Sequence, residues 1–261
     1  MTTRRLDDAV LGLVAMATIG ATLARAEEAP KQVPRLAMEQ ATLVEARPIT
    51  PEVSTQELEE ILVTARVPVL DVRSAQEYAI AHIPGSINLW EKELEAVVAR
   101  YPDRASSLVL YCNGPYCGKS KRLSEQLVKM GYTNIRRYQV GLPVWRALGR
   151  TVQTDLPGFE YVFGADHTAY FVDARRAEAF MAGTVPGAVN VRAGEAEAAN
   201  EDGRLPHRDK GTRVIVFGSD ATEARAVAAE IARKAYWNSS YFGGKFEDLA
   251  PVLQRRPTTS R

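Results

Sequence analysis

Two cysteines, five positions apart, carry most of the chemistry this chain can do. They stand in Leu108-Val109-Leu110-Tyr111-Cys112-Asn113-Gly114-Pro115-Tyr116-Cys117-Gly118-Lys119-Ser120. A short apolar run ends at Cys112, a small-residue loop follows, and Leu123, Leu127 and Val128 then recur at helical spacing. Strand, loop and helix in that order predict Cys112 at the carboxyl end of a strand, facing a helix N-terminus. Open α/β sheets bind ligands at that edge. The unpaired N–H groups there favour anions and thiolates, so Cys112 is expected to be a nucleophile with a depressed pKa. Gly114 and Gly118 permit the φ values of a tight ring, and Pro115 stiffens it. Lys119 is read either as a cationic contact for an incoming dianion or as a solvated first-turn lysine. Lys121 and Arg122 are assigned to the solvated helix face. Cys117 has three readings: a resolving thiol for Cys112, a partner in a resting disulfide that protects Cys112, or a small side chain filling the loop. A disulfide requires Cα atoms within about 7 Å.

The elements that must position this loop occur twice. Val69-Leu70-Asp71-Val72-Arg73 returns as Phe171-Val172-Asp173-Ala174-Arg175. His82-Ile83-Pro84-Gly85-Ser86-Ile87-Asn88 returns as Thr184-Val185-Pro186-Gly187-Ala188-Val189-Asn190. Leu108 to Tyr111 returns as Val214 to Phe217, again ahead of a helical pattern. Each copy is a normal domain size. Apolar strands at 68–72, 108–111 and 135–138 alternate with helical stretches at 54–64, 76–81, 121–130 and 144–148. This alternation predicts an α/β fold with a mainly parallel sheet covered on both faces. Ser54 followed by Glu57 reads as a capping box. The expected division is 1–26 leader, 27–52 linker or extended arm, 53–155 first domain and 156–261 second domain.

Composition narrows the function classes. Apolar residues make up 46% and charged residues 25% of 261, ordinary for a globular chain, and the net charge of +1 argues against nucleic acid and anionic membranes as partners. The histidines, His82, His167 and His207, are scattered, and with two cysteines no metal set is expected. No dinucleotide loop or phosphate-binding lysine motif is present, so no cofactor is expected. Residues 1–26 read as a secretory signal peptide: Arg4 and Arg5, the uncharged run Ala9 to Ala24, then Ala24-Arg25-Ala26 as cleavage site. Asp7 and Asp8 are unusual there, and a buried N-terminal helix or an uncleaved anchor are the alternatives. The run is shorter than the ~20 apolar residues of a membrane span. The expected location is periplasmic or secreted, where two cysteines can pair.

Asp71-x-Arg73, Glu77-Tyr78, His82-Ile83-Pro84-Gly85-x-x-Asn88, the cysteine loop and Gly141-Leu142-Pro143-Val144-Trp145, in that order, resemble the rhodanese family of sulfurtransferases. The match covers about residues 53–150, with a weaker copy over about 160–250. The resemblance implies two rhodanese-like domains, each with a mainly parallel five-stranded sheet, and a persulfide-forming cysteine. Many members carry an arginine in the loop, which is missing here. Members with two domains usually keep the active cysteine in the second copy. Here that copy has Gly218 at the matching position, so the first is expected to be active.

On this reading Cys112 attacks a sulfane sulfur such as that of thiosulfate. It carries the sulfur as a persulfide in a ping-pong cycle and yields it to a thiol or cyanide. The substrate-binding loop is Asn113, Gly114, Pro115, Tyr116, Cys117, Gly118 and Lys119, whose N–H groups surround the outer sulfur. Asp71 and Arg73 are read as a structural ion pair that orders the strand–helix turn, with support of the active loop from beneath as the alternative. His82 is read as stabilising a turn rather than as a base, Tyr138 and Trp145 as core, and Arg225 as a surface residue. The second copy is expected to cover one side of the active site. Partners would be a small sulfur compound and a protein sulfur acceptor. Two other classes stay open: a thiol–disulfide or persulfide-reducing protein using both cysteines, and a non-catalytic sulfur carrier or binding module. A Cys-x5-Arg phosphatase is disfavoured, because Gly118 stands six positions after Cys112.

Overall fold

The structure, a computed structural model, describes residues 35–206, 211–234 and 238–254. The expected leader, residues 1–26, and His207 lie outside the described residues. The first repeat runs α1 (Arg35–Glu39), α2 (Thr55–Thr64), β1 (Val69–Asp71), α3 (Ala75–Ile80), β2 (Ile87–Asn88), α4 (Leu94–Arg100), β3 (Leu108–Tyr111), α5 (Lys119–Lys129), β4 (Ile135–Tyr138) and α6 (Gly141–Ala147). The chain continues with β5 (Val152–Thr154), α7 (Leu156–Tyr161), β6 (Ala169–Asp173), α8 (Ala177–Ala182), β7 (Val189–Asn190) and α9 (Ala196–Glu201). It ends with β8 (Arg213–Phe217), α10 (Ala221–Lys234), β9 (Ser239–Phe242) and α11 (Ala250–Gln254). Among the described residues, no helix is long and apolar enough to cross a membrane.

Both sheets are parallel, with strand orders β2-β1-β3-β4 and β5-β9-β8-β6-β7. The second sheet has the five strands expected of each; the first has four. Its fifth place is reduced to a parallel bridge, Glu52 to Arg137, with Val53 N–H on Arg137 O and Arg137 N–H on Pro51 O, both at 2.9 Å. Arg137 holds this edge because its side chain, 1% exposed, bonds Thr50 Oγ1 at 2.7 Å and Glu45 at 2.9 Å. The expected arm is therefore docked on β4 from Glu45 onward.

Side chains on a strand alternate between faces, and each face needs its own core. Val109 and Tyr111 pack with Leu58 of α2 and Trp145 of α6. Leu108, Leu110 and Cys112 pack with Leu123 and Leu127 of α5. That period of two is what aims Cys112 at α5. The second sheet divides likewise, Val214 and Val216 against α10, Ile215 and Phe217 against Phe159 of α7.

The helix starts differ from the expectation in one respect. Ser54 caps α2 by accepting the Glu57 N–H at 3.2 Å, but the box is half-made. The Glu57 carboxylate binds Arg136 instead. The complete box opens α3, where Ser74 and Glu77 exchange hydrogen bonds.

β5 falls inside the range assigned to the first domain yet pairs with β9 in the second sheet. It also ties the repeats together. His82 and Gln153 exchange two backbone hydrogen bonds at 2.9 Å, and Thr154 Oγ1 donates to Ile80 O at 2.8 Å. Next to this, α7 crosses α3 so closely that a Cβ at Gly158 would lie 2.0 Å from Ala79 O.

Candidate active site

Cys112 follows the last residue of β3, and the loop after it is shaped by three glycines in the left-handed region. Gly114 has φ +90°, Gly118 φ +67° and Gly141, at the start of α6, φ +66°. Gly114 lets the chain turn, with Cys117 N–H on Gly114 O at 3.1 Å, and Gly118 is the N-cap of α5. Gly141 does more than turn. A Cβ there would stand 2.3 Å from Gly114 N and 2.5 Å from Cys112 O, so the loop rests directly on the α6 backbone. The Leu142 N–H donates to Cys112 O at 3.1 Å. The sequence pattern marked this segment as a motif but gave no sign that its glycine is the floor of the loop.

Both cysteines are free thiols. Cys112 is 1% exposed; its Sγ lies 3.5 Å from Ser120 Oγ and donates to Gly114 O at 3.8 Å. Cys117 is half-buried and packs against the cluster that holds Cys112, Leu123 and Leu127. The expected depression of the Cys112 pKa is reversed. The neighbouring Cys117 raises it, and burial adds to that. Cys117 is lowered to about 6, because the neighbouring Cys112 and, against the cost of burial, the backbone of Lys119 and Asn113 and the Lys119 charge favour its thiolate.

A polar rim fixes the loop. Arg73 grips Asp71 through Nε at 2.9 Å and a terminal nitrogen at 2.5 Å, and also donates to Ala81 O at 2.6 Å. Its remaining nitrogen reaches Asn113 Oδ1 at 3.1 Å. The expected ion pair is present, and Arg73 is its link to the loop. Asn113 Nδ2 donates to Glu77 at 2.8 Å, and Lys119 binds Glu77 at 2.7 Å. Burial alone would raise the Glu77 carboxyl, but hydrogen bonds from Lys119 and Ser74 hold it at about 2. Lys119 is thus neither solvated nor free for a dianion. Lys121 reaches Glu45 at 3.4 Å and Arg122 forks onto Glu91 at 2.7 Å, both on the exposed face expected. Glu77, Ser120 and Gly141 are the site residues that sequence spacing did not single out for these contacts.

His82 is buried, stacked on Tyr78 at 3.8 Å, with Nδ1 2.9 Å from Tyr78 O. Tyr138 and Trp145 are core, meeting edge to face. Tyr116 at the loop tip is fully exposed. Among the described residues, the side-chain hydrogen bonds of the loop stay within the first repeat. The two repeats instead enclose a cavity of about 740 Å³ lined by Leu62, Pro84, Trp145, Arg150 and Arg225, with no loop residue in its wall. Among the described residues, the expected cover of the active loop by the second repeat is not seen in these hydrogen bonds or in the wall of this cavity. Contact between repeats runs through His82 and α3, on another side of the fold.

The second repeat keeps the frame without the site. Arg175 grips Asp173 at 3.0 and 2.7 Å and donates to Gly183 O, as Arg73 does to Ala81 O. After Gly218, however, α10 begins at once. Asp220 accepts the N–H groups of Thr222 and Glu223, and Glu223 accepts that of Ser219 at 2.7 Å. Carboxylates of the chain itself satisfy the helix N-terminus that the first repeat leaves to its sulfurs. Among the described residues no cluster of His, Cys, Asp and Glu is arranged to hold a metal ion.

The rhodanese-like domain family matches the chain twice, over residues 54–148 and 163–249. A helix-turn-helix-type transcriptional regulator of Mycobacterium tuberculosis, Rv0324, is 33% identical over 35% of this chain and 39% of its own length. The thiosulfate sulfurtransferase PspE of Escherichia coli is 35% identical over 25% of this chain and 62% of its own. A thiosulfate:glutathione sulfurtransferase of Homo sapiens is 31% identical over 36% of this chain and 92% of its own. The chain therefore spans less than two thirds of the first two relatives and nearly all of the third.

Proposed function

We propose that this chain, which belongs to the rhodanese-like domain family, is a sulfurtransferase that carries a sulfane sulfur as a Cys112 persulfide and passes it to a thiol or cyanide. The observation that carries this reading is the placement of a free thiol, Cys112, directly after β3 in a loop turned by Gly114 and Gly118, with its Sγ 3.5 Å from Ser120 Oγ in the first turn of α5. A persulfide anion on Cys112 needs donors at its outer sulfur, and fixed N–H groups supply them without reorganisation. The rim cations are each matched by a carboxylate, Arg73 by Asp71, Lys119 by Glu77 and Arg122 by Glu91. Recognition of the donor accordingly falls to the N–H groups rather than to a free cation. Two of the relatives are named as thiosulfate sulfurtransferases, which makes thiosulfate the first donor to try and a low-molecular-weight thiol the first acceptor. The exposed loop tip also leaves room for a protein acceptor.

The test is intact-mass spectrometry of reduced protein exposed to thiosulfate. A gain of about 32 Da, one sulfur, is expected in wild type and absent in Cys112→Ser. No gain in wild type would overturn the reading. A second reading, a persulfide-reducing protein that ends in a Cys112–Cys117 disulfide, is favoured by the packing of the second free thiol, Cys117, against the cluster that holds Cys112. It predicts a loss of two hydrogens in wild type, with added sulfur trapped only in Cys117→Ser. Export is proposed from residues 1–26 alone, and N-terminal sequencing of protein recovered outside the cytoplasm should begin at Glu27.

A further inference from the structure

We propose that the cavity of about 740 Å³ between the repeats is a binding site for a small amphipathic anion, a carboxylate or sulfonate carried on an apolar body. The site stands apart from the sulfur chemistry, since no residue of the active loop lines it. Its size falls in the range of small-molecule sites, roughly 300–1,000 Å³. Such sites favour junctions between domains and set a few polar groups in apolar walls.

One wall comes from the first repeat. Trp145 of α6 lines it, 6% exposed, and its Nε1 already donates to Thr151 O at 3.0 Å, so the indole offers a ligand its ring and not its polar edge. Leu62 of α2 stands in the same wall. Gly85, at φ +86°, lets the Pro84–Gly85 turn close on it: a Cβ there would lie 3.4 Å from Leu62 Cδ2. Val63, next along α2, also lines the cavity and is 86% exposed, an apolar side chain left in water where a ligand would cover it. The opposite wall is α10 of the second repeat, which presents Arg225 and Ala229, four residues apart and so on one helix face.

The sign of the ligand follows from the charges in these walls, Glu59, Arg150 and Arg225. Glu59 and Arg150 cancel. Arg150 Nε and a terminal nitrogen donate to the two Glu59 oxygens, each at 2.6 Å, and Glu39 lies 3.5 Å from the same guanidinium. Arg150 also lies 5.8 Å over the Trp145 ring. Arg225 has no such answer. Among the described residues its guanidinium makes no ion pair or side-chain hydrogen bond, and it lies over Tyr241, 5.9 Å from the ring centroid. With the neighbouring pair closed, Arg225 is the cation left to meet a ligand. It selects an anionic head group, to which a guanidinium can donate two parallel hydrogen bonds. The apolar body of the ligand then lies on Leu62, Pro84 and Trp145.

Two fluorescent probes test this on the full chain: 8-anilinonaphthalene-1-sulfonate, and N-phenyl-1-naphthylamine, the same ring system without the charge. The sulfonate should saturate at about one equivalent per chain. Arg225→Ala should weaken the sulfonate about tenfold, the loss of one charged hydrogen bond, and leave the amine unchanged. Ala229→Trp fills the cavity from α10 and should weaken both probes. Arg225 is exposed, so its alanine variant should fold and carries the test even if Ala229→Trp folds poorly. Failure of the sulfonate to saturate on wild type, or unchanged affinity for both probes in a folded Ala229→Trp, would mean adventitious adsorption only and overturn the site. Loss of both probes alike in Arg225→Ala, or of neither, would overturn its choice of an anion.

Discussion

The repeat supplies its own control for the role of Arg73. Arg73→Lys and Arg175→Lys remove the same fork from the same buried carboxylate, since the two arginines are 3% and 8% exposed and grip Asp71 and Asp173 in matching geometry. A lysine keeps one point charge and gives up the second charged hydrogen bond and the donor to Ala81 O or Gly183 O. Charged hydrogen bonds contribute about 1.5–3 kcal/mol each, and breaking a buried pair outright costs about 3–5 kcal/mol. Each variant should therefore lose about 2–4 kcal/mol, a fall in Tm of roughly 5–15 °C. The functional consequence should differ. Only Arg73 carries a fourth contact, to Asn113 in the active loop, whereas the Arg175 guanidinium lies 3.4 Å over Phe246. Persulfide formation under single-turnover conditions should fall about tenfold or more in Arg73→Lys, worth about 1.4 kcal/mol, and stay at the wild-type rate in Arg175→Lys. Calorimetry and quenched mass spectrometry on the same preparations read both quantities. Equal loss of activity in the two variants, or none in Arg73→Lys, would refute the claim that this arginine acts through the loop.

Gly141→Ala should destabilise the chain by about 2–4 kcal/mol and abolish persulfide formation, because the new methyl meets the Gly114 and Cys112 backbone rather than a movable side chain; urea melts and the mass assay check both. Glu77 is held near pH 2 in the fold, below the unfolded carboxylate value near 4.3, so its contribution is complete above about pH 5 and is lost as pH falls toward 2. The stability gap between wild type and Glu77→Gln should accordingly close over that window, and a gap constant down to pH 2 would contradict the pairing with Lys119. Introducing Gly218→Cys into Cys112→Ser should restore no persulfide, since Asp220 and Glu223 already occupy the backbone donors and a Cβ at 218 would sit 3.0 Å from the Glu223 carboxylate.

Much of the fold is legible because parallel strands covered on both faces read as short apolar runs, and Leu108–Tyr111 and Ile135–Tyr138 are found where the pattern puts them. Asp71 with Arg73, and the turn after Cys112, follow from spacing as well. What escaped depends on contacts between distant segments. β5 is three residues long and takes its partner from the far end of the chain, so nothing local assigns it to the second sheet. The arm at 45–53 looks like a linker because Pro48, Pro51 and its charges are read without Arg137. The low pKa expected of Cys112 fails because a helix N-terminus lowers a thiol pKa, whereas the neighbouring Cys117 and the burial of Cys112 among Leu110, Leu123 and Leu127 raise it, and only the folded loop shows them.

The close crossing at Gly158 bears on how the molecule can move. Backbone meets backbone there, with Ala79 O also accepting the Asp155 N–H at 2.8 Å, and the His82–Gln153 bridge lies alongside. Such a joint has no slack for a hinge: opening it would strip several main-chain hydrogen bonds at once. Turnover should then run without domain closure, the donor and the acceptor arriving in succession at one rigid, open loop. Small-angle scattering curves that superimpose with and without bound substrate are the expected signature, and a ligand-dependent contraction would show that the joint yields after all.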